Sequence, residues 1–245
     1  MADLNGDGIY DLLHGYFGGD LHWSPGNETG YATPAQIRDS QGNPLGLGQF
    51  WWNDGTSEGD ALDKSERGSE LGISAFPVDW DADGDLDLLL GSNEGSMVVR
   101  LNVGTASEWS FAPQGFEVTV NGELAKPPGG HAQPVAADWD GDGLFDLVSG
   151  GGEGGVTWWR NTGAPNAPAF AEAQTLVEPI AFGPTGPQAS TQVAVVDFDM
   201  DGDLDLVLGD GVGHEAPAGS DRVMGRRLWV LLREGPVAAE PIEPR

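Results

Sequence analysis

One nine-residue pattern recurs four times, and it constrains this chain more than anything else in it. Asp79-Trp80-Asp81-Ala82-Asp83-Gly84-Asp85-Leu86-Asp87 shares its frame with Asp3 to Asp11, Asp138 to Asp146 and Asp197 to Asp205. Counted from the first Asp, oxygen-bearing side chains stand at positions 1, 3, 5 and 9, and glycine stands at position 6. The ligand candidates are Asp3, Asn5, Asp7 and Asp11 in loop 1, and Asp79, Asp81, Asp83 and Asp87 in loop 2. Loop 3 supplies Asp138, Asp140, Asp142 and Asp146, and loop 4 supplies Asp197, Asp199, Asp201 and Asp205. Side chains at 1, 3 and 5 of a tightly curled loop converge on one point. The glycine permits the turn that aims the position-7 carbonyl inward, and the ninth residue closes the sphere. Hard cations such as Ca2+ want six to eight oxygens, whereas Mg2+ prefers to keep its waters, so the pattern predicts up to four Ca2+, one per loop. Position 7 is Ile9, Asp85, Leu144 or Asp203, and apolar residues are tolerable there because the carbonyl is what the cation uses. An EF-hand would need Glu at position 12, where His14, Leu90, Ser149 and Leu208 stand instead.

The loops start at residues 3, 79, 138 and 197. Two intervals are thus 59 residues, and the first is longer by 17. Fixed periods of this size signal repeat architectures. Each ninth-position Asp is followed by a short apolar run ending in glycine (Leu12 to Gly15, Leu88 to Gly91, Leu147 to Gly150, Leu206 to Gly209), which predicts a buried strand. Another run precedes loops 2 to 4, at Ala75 to Val78, Pro134 to Ala137 and Val193 to Val196. A third follows a Gly-rich turn at Met97 to Leu101, Val156 to Trp159 and Arg227 to Leu232. A fourth is expected at Phe116 to Val120, Leu176 to Ile180 and Val237 to Ile242. The unit is four strands, A to D, with the metal loop as the A–B hairpin. Four-stranded units repeated radially are propeller blades. The expected fold is therefore all-β, a partial β-propeller of about four blades at residues 1–72, 73–131, 132–190 and 191–245. The first blade lacks its strand A, and a fragment of a larger propeller is the favoured arrangement over a closed four-blade ring. Asp60 to Arg67 is the sole weak helix candidate.

Composition narrows the function classes. The net charge is −28, and 17 of the 24 Asp lie inside the four loops, so the acidity is placed rather than spread as in a disordered tail. Eleven Lys and Arg are too few to neutralise a phosphate backbone, which disfavours nucleic acid. There is no cysteine, hence neither disulfide nor thiolate metal site. No apolar run reaches the length of a membrane span, and the N-terminal residues do not form a signal peptide.

The motif D-x-[DN]-x-D-G-x-x-D between strands, in units near 60 residues, resembles the FG-GAP/VCBS repeat, found in the integrin α-subunit propeller and in many bacterial secreted proteins. The resemblance covers nearly the whole chain, although the literal Phe-Gly…Gly-Ala-Pro signature is not clear. It implies Ca2+ held by side-chain oxygens from positions 1, 3, 5 and 9 and a main-chain oxygen from 7, here Ile9, Asp85, Leu144 and Asp203. An extracellular, cell-surface or periplasmic location is expected because extracellular modules bind Ca2+ at about 0.1–1 mM and such sites would stay empty at cytosolic levels, and a glycan or protein is the expected ligand. The leading expectation is a non-enzymatic Ca2+-dependent binding or adhesion scaffold with structural metal. The alternatives are part of a polysaccharide-lyase-type enzyme and a spacer repeat of a large surface protein.

Other residues carry weaker signals. Trp51-Trp52 and Trp158-Trp159 could stack on sugar rings, although packing between blades is the blander expectation for at least one of each pair. His14, His22, Tyr10, Tyr16, Tyr31 and Arg38 gather in the first unit, a set that could serve acid/base chemistry, but His14 replaces Leu or Ser of the other copies and is expected to be a packed histidine. His131 precedes a strand and carries no partner signal. Asp39 to Leu71 contains the 17-residue excess, a place where recognition loops occur.

Overall fold

The computed structural model describes residues 2–15, 20–46, 73–179, 190–210 and 228–233. Among them there is no helix, and none long and apolar enough to cross a membrane. Every element is a short antiparallel strand.

Unit 1 holds β1 (Leu12–Gly15), β2 (Leu21–Ser24), a small hairpin of β3 (Gly26–Asn27) and β4 (Gly30–Tyr31), and β5 (Ala35–Gln36). Its sheet runs β1-β2-β5. Unit 2 holds β6 (Ile73–Val78), β7 (Asp87–Ser92), β8 (Met97–Arg100) and β9 (Phe116–Glu117), paired in that order, and then a hairpin of β10 (Thr119–Val120) and β11 (Glu123–Leu124). Unit 3 repeats the four-stranded meander with β12 (Gln133–Ala137), β13 (Asp146–Gly150), β14 (Val156–Trp159) and β15 (Gln174–Val177). Unit 4 has β16 (Gln192–Val196), β17 (Asp205–Gly209) and β18 (Leu228–Leu231). Strands A, B and C thus lie where the apolar runs predict them. Arg227, the Asp60 to Arg67 helix candidate, Trp51-Trp52, Tyr16 and the fourth strand at Val237 to Ile242 lie outside the described residues.

The expected fourth strand of unit 2 is corrected. Phe116 and Glu117 pair with β8, but Thr119 and Val120 turn away to pair with Leu124 and Glu123. The cause is Asn121-Gly122, both at positive φ (53° and 86°), the dipeptide of a two-residue primed hairpin turn.

Successive units pack face to face, because alternate residues of each strand point to opposite sides. Leu88 and Leu90 of β7 join Leu21, Ile37 and Phe111 in the layer between units 1 and 2. Leu89, Met97 and Val99 face the other way, against Leu147 and Trp159 of unit 3. Val148, Val156 and Trp158 of unit 3 then meet Leu206, Leu208 and Trp229 of unit 4. The Trp158-Trp159 pair is therefore split between two packed layers, one ring on each side of its sheet. The backbone stitches the units with the same period. The Ala132 N–H donates to the Ser92 carbonyl (2.9 Å), and 59 positions on, the Thr191 N–H donates to the Gly151 carbonyl (3.1 Å). The glycine ending strand B belongs to this join. A Cβ on Gly150 would lie 1.9 Å from the Thr191 carbonyl oxygen, and one on Gly91 2.3 Å from that of Ala132.

Candidate metal centre

Each loop is a hairpin connection closed at its base by strand pairing. The residue before position 1 pairs with the Asp at position 9: Val78 with Asp87, Ala137 with Asp146, Val196 with Asp205, and Ala2 with Asp11. The position-9 Asp is therefore the first residue of strand B in units 2 to 4, held by the ladder rather than by the loop.

Inside the loop, carboxylates bind the backbone before any ion is considered. The two Asp3 oxygens accept from the Asp7 and Gly8 N–H groups (3.0 and 2.8 Å), and Asp79 and Asp197 repeat this with Asp83 and Gly84, and with Asp201 and Gly202. Asp138 accepts from Gly143. The position-5 carboxylate accepts from the position-7 N–H in all four copies, within 2.8–3.1 Å. These are Asx-type turns, which short acidic side chains form with their own neighbouring backbone. The position-6 glycines adopt φ between 86° and 99°. Position 4 is left-handed in every copy as well, at Gly6, Ala82, Gly141 and Met200. Sequence reasoning missed this, because Ala and Met hide a requirement that Gly reveals in the other two copies.

Position 9 has a larger role than the pattern suggests. Asp11, Asp87, Asp146 and Asp205 are all fully buried. One oxygen accepts from the position-2 N–H (Leu4, Trp80, Trp139, Phe198; 2.8–3.2 Å). The other accepts from an N–H just beyond strand C: Asn102, Asn161 and Arg233, with Gly26 in unit 1 (2.6–2.8 Å). The carboxylate thus ties the acidic loop to the far end of the third strand, and each oxygen keeps a second lone pair. Asn102 and Asn161 extend the tie, each side-chain carbonyl accepting two backbone N–H groups of the following turn.

The remaining carboxylate oxygens face one another. Asp79, Asp81 and Asp87 bring one oxygen each within 4.8 Å of the others, as do Asp138, Asp140 and Asp142, and Asp197, Asp199 and Asp205. Loop 1, with Asn5 at position 3, forms no such all-carboxylate group among the described residues. Asp81 Oδ1 and Asp138 Oδ1 are buried with no hydrogen-bond partner. Converging, partly unpartnered carboxylates fit a hard divalent cation. Their ionisation records the crowding. Burial, then the carboxylates of Asp81 and Asp85, push Asp87 up to about 6 against the N–H groups of Asn102 and Trp80. Burial likewise raises Asp146 and, together with Asp201 and Asp205, Asp199. Asp205 is lowered instead, chiefly by the Arg233 N–H. In loop 3, Arg160 pairs with Asp140 and, at 3.0 Å, with Asp142.

The first-unit side chains have local partners. His14 Nε2 lies 3.0 Å from Ser24 Oγ, across the β1–β2 pair, as expected for a packed histidine. Arg38 donates to the Gly42 carbonyl and to Gln36 Oε1. Tyr10 and Tyr31 are exposed. His131 sits at φ 50° in the join between units 2 and 3, donating its N–H to the Asn93 carbonyl.

Comparison with known proteins follows the same repeat. Among curated proteins, none matches the chain. A chain of the Photorhabdus luminescens Tc holotoxin pore is similar at 19% identity and a TM-score of 0.45; the match covers 94% of this chain and 8% of that one. The model of the FG-GAP-like repeat matches twice in tandem, over residues 79–149 and 138–208, each match running from an acidic loop to the strand B of the next unit. These matches span more than half of the sequence, and the chain belongs to the FG-GAP-like repeat family.

Proposed function

We propose that this chain is a non-enzymatic, extracytoplasmic scaffold. Its four units are blades of a β-propeller, pinned by Ca2+ in the A–B loops, and it presents its faces to a glycan or protein ligand. The observation that carries the metal reading is the convergence of three carboxylates in each of loops 2, 3 and 4 while the loop backbones are already held in shape by their own Asx turns. Such loops repel themselves when empty, so cation binding to the native state adds to folding stability. The blade reading is supported by the meander order of each sheet and by the join between strand B of one unit and strand A of the next. Location follows from affinity: extracellular modules bind Ca2+ at about 0.1–1 mM, and such sites would stay empty at cytosolic levels.

The test is a thermal melt of chelator-stripped protein, with Ca2+ or Mg2+ added back, paired with glycan-array retention and product assays on acidic polysaccharides. Ca2+ at 100 times its dissociation constant should add about 2.7 kcal/mol per site, with little effect of Mg2+. Retention without turnover is expected. Unchanged melting with Ca2+ would overturn the structural-metal reading, and turnover would overturn the non-enzymatic one.

A further inference from the structure

Units 2 and 3 meet at their loops through aromatic rings: Trp80 packs on Phe145 and Phe170 of unit 3, at centroid distances of 5.4 and 5.9 Å. Units 3 and 4 meet differently. A cleft of about 140 Å³ lies between their loops, lined by residues 138–141 of loop 3 and by Gly202, Asp203, Leu204 and Arg233 of unit 4. Arg233 spans the join. Its guanidinium donates to the Trp139 carbonyl at 2.7 Å and lies over the Trp139 ring, 4.9 Å from the centroid, a pair of contacts that suits a planar cation. Its backbone N–H donates to Asp205 Oδ1 at 2.8 Å. The Trp139 N–H in turn donates to Asp146 at 3.2 Å. A continuous run of bonds thus joins the position-9 carboxylate of loop 4 to that of loop 3. It passes through the main-chain groups of Trp139, which stands between Asp138 and Asp140. Asn102 and Asn161 hold the place of Arg233 in units 2 and 3, each donating its N–H to a position-9 Asp. Their side chains stay within their own units, donating to the Thr105 carbonyl (3.3 Å) and the Phe145 carbonyl (2.9 Å). Gly26, in unit 1, has no side chain to reach with. Among the described residues, Arg233 alone carries this tie across a join.

We propose that Arg233 couples loops 3 and 4, so that a cation bound in one raises the affinity of the other, while loop 2 takes its cation independently of loop 3. The proposal rests on the Ca2+ reading above and adds cooperation between two of its sites. A cation in loop 4 draws on Asp205. The same carboxylate positions the Arg233 backbone, and the Arg233 guanidinium holds loop 3 between two of its acidic residues. Order imposed by the first cation need not be imposed again by the second, which gives positive coupling without a change of shape.

NMR titration of the full, chelator-stripped chain with Ca2+ reads each loop through its own position-6 glycine N–H. Gly84, Gly143 and Gly202 each donate to the position-1 carboxylate of their loop. Disabling loop 4 with Asp199→Ala should weaken loop 3 about fivefold, and disabling loop 3 with Asp140→Ala should weaken loop 4 by the same factor, since coupling is reciprocal. Disabling loop 2 with Asp81→Ala should leave loop 3 unchanged. Arg233→Met keeps the backbone N–H and most of the stem, and in it both effects should vanish. Arg233→Lys, which can still donate to the Trp139 carbonyl, should restore part of them. A purely structural arginine would lower the melting temperature of Arg233→Met and leave the dependence of one loop on the other intact. That outcome would overturn the proposal, as would a loop 2 effect as large as that of loop 4. If wild type bound no Ca2+, the Ca2+ reading would fall, and the coupling would be decided in chelator. There, the urea-midpoint losses of Asp146→Ala and Asp205→Ala should combine to less than their sum in wild type and add in Arg233→Met. Simple addition in both backgrounds would sink the coupling.

Discussion

Units 3 and 4 carry the same loop at the same offset, yet their surroundings differ. Position 2 is Trp139 in one, 9% exposed against unit 4, and Phe198 in the other, 53% exposed. The glycine ending strand B meets the next unit at Gly150, whereas among the described residues the nearest atom to a Cβ on Gly209 would be the Gln192 Cβ at 3.9 Å. Residues of β12 are buried or half-buried throughout, while β16 alternates exposed and half-buried, with Val196 at 38% and Val230 of β18, the far strand of the same sheet, also at 38%. Even the buried position-9 carboxylate responds. Burial dominates at Asp146 and raises it, and a backbone N–H dominates at Asp205 and lowers it. The difference teaches that the motif dictates the loop, whereas the neighbouring unit decides how much of the sheet counts as core.

The largest expected effect breaks this contrast at position 2. Trp139→Ala should destabilise by about 3–5 kcal/mol, as for other buried large-to-small changes, and Phe198→Ala by less than about 1 kcal/mol. Urea midpoints measured in chelator decide. Equal losses would mean that the unit 4 face is covered in solution. Next comes the staple. Asp146→Ala leaves the Trp139 and Asn161 N–H groups unpaired inside the protein, at a cost of about 2–4 kcal/mol. Asp205→Ala should cost about half as much, because Phe198 is half open to water and its N–H can be rehydrated. The join follows. Gly150→Ala forces a methyl onto a carbonyl and should destabilise by about 1–3 kcal/mol, whereas Gly209→Ala should be neutral or stabilise by about 0.5 kcal/mol through the unfolded chain.

Acidity separates the same carboxylates. Asp87, raised from 3.8 to about 6, holds its proton more tightly folded than unfolded. Between those values the native state carries the extra proton, so metal-free stability falls as pH rises through the window. Asp205, lowered, contributes stability that is present above 3.8 and lost as pH falls through its folded value. The difference between metal-free melts at pH 5 and pH 7 should therefore shrink in Asp87→Asn, leaving what Asp146 and Asp199 contribute, and persist in Asp205→Asn. A difference undiminished in Asp87→Asn would show that this carboxylate does not contribute to it.

Much of this was legible in the residues. Strands A to C follow from apolar runs between glycines, and the loops from acidic spacing at a period of 59, because both are local signals repeated often enough to check one another. The second role of position 9 was not, since its partner N–H lies 15 residues away at Asn102 or Asn161 and backbone donors have no sequence signature. The burial of Asp85 and Asp203 was equally hidden: an Asp at a permissive position reads as a solvated one until the packing around it is known. The Asn121-Gly122 dipeptide is a hairpin signal legible in the residues, and here it outweighs the strand pattern of Phe116 to Val120.

The smallest effect concerns position 4, where unit 3 has Gly141 and unit 4 has Met200, both left-handed at φ 75° and 63°. A side chain in that region costs about 1–2 kcal/mol, part of which glycine returns through its greater freedom when unfolded. Met200 is 88% exposed, so its removal forfeits almost no packing. Met200→Gly should therefore stabilise by about 0.5–1 kcal/mol, and Gly141→Ala should destabilise by a similar amount. A melting shift of opposite sign in either would mean that the loop abandons this backbone when no cation is bound. Repeating both melts in Ca2+ isolates that case, since a cation holding the carboxylates at positions 1, 3 and 5 also holds the turn between them.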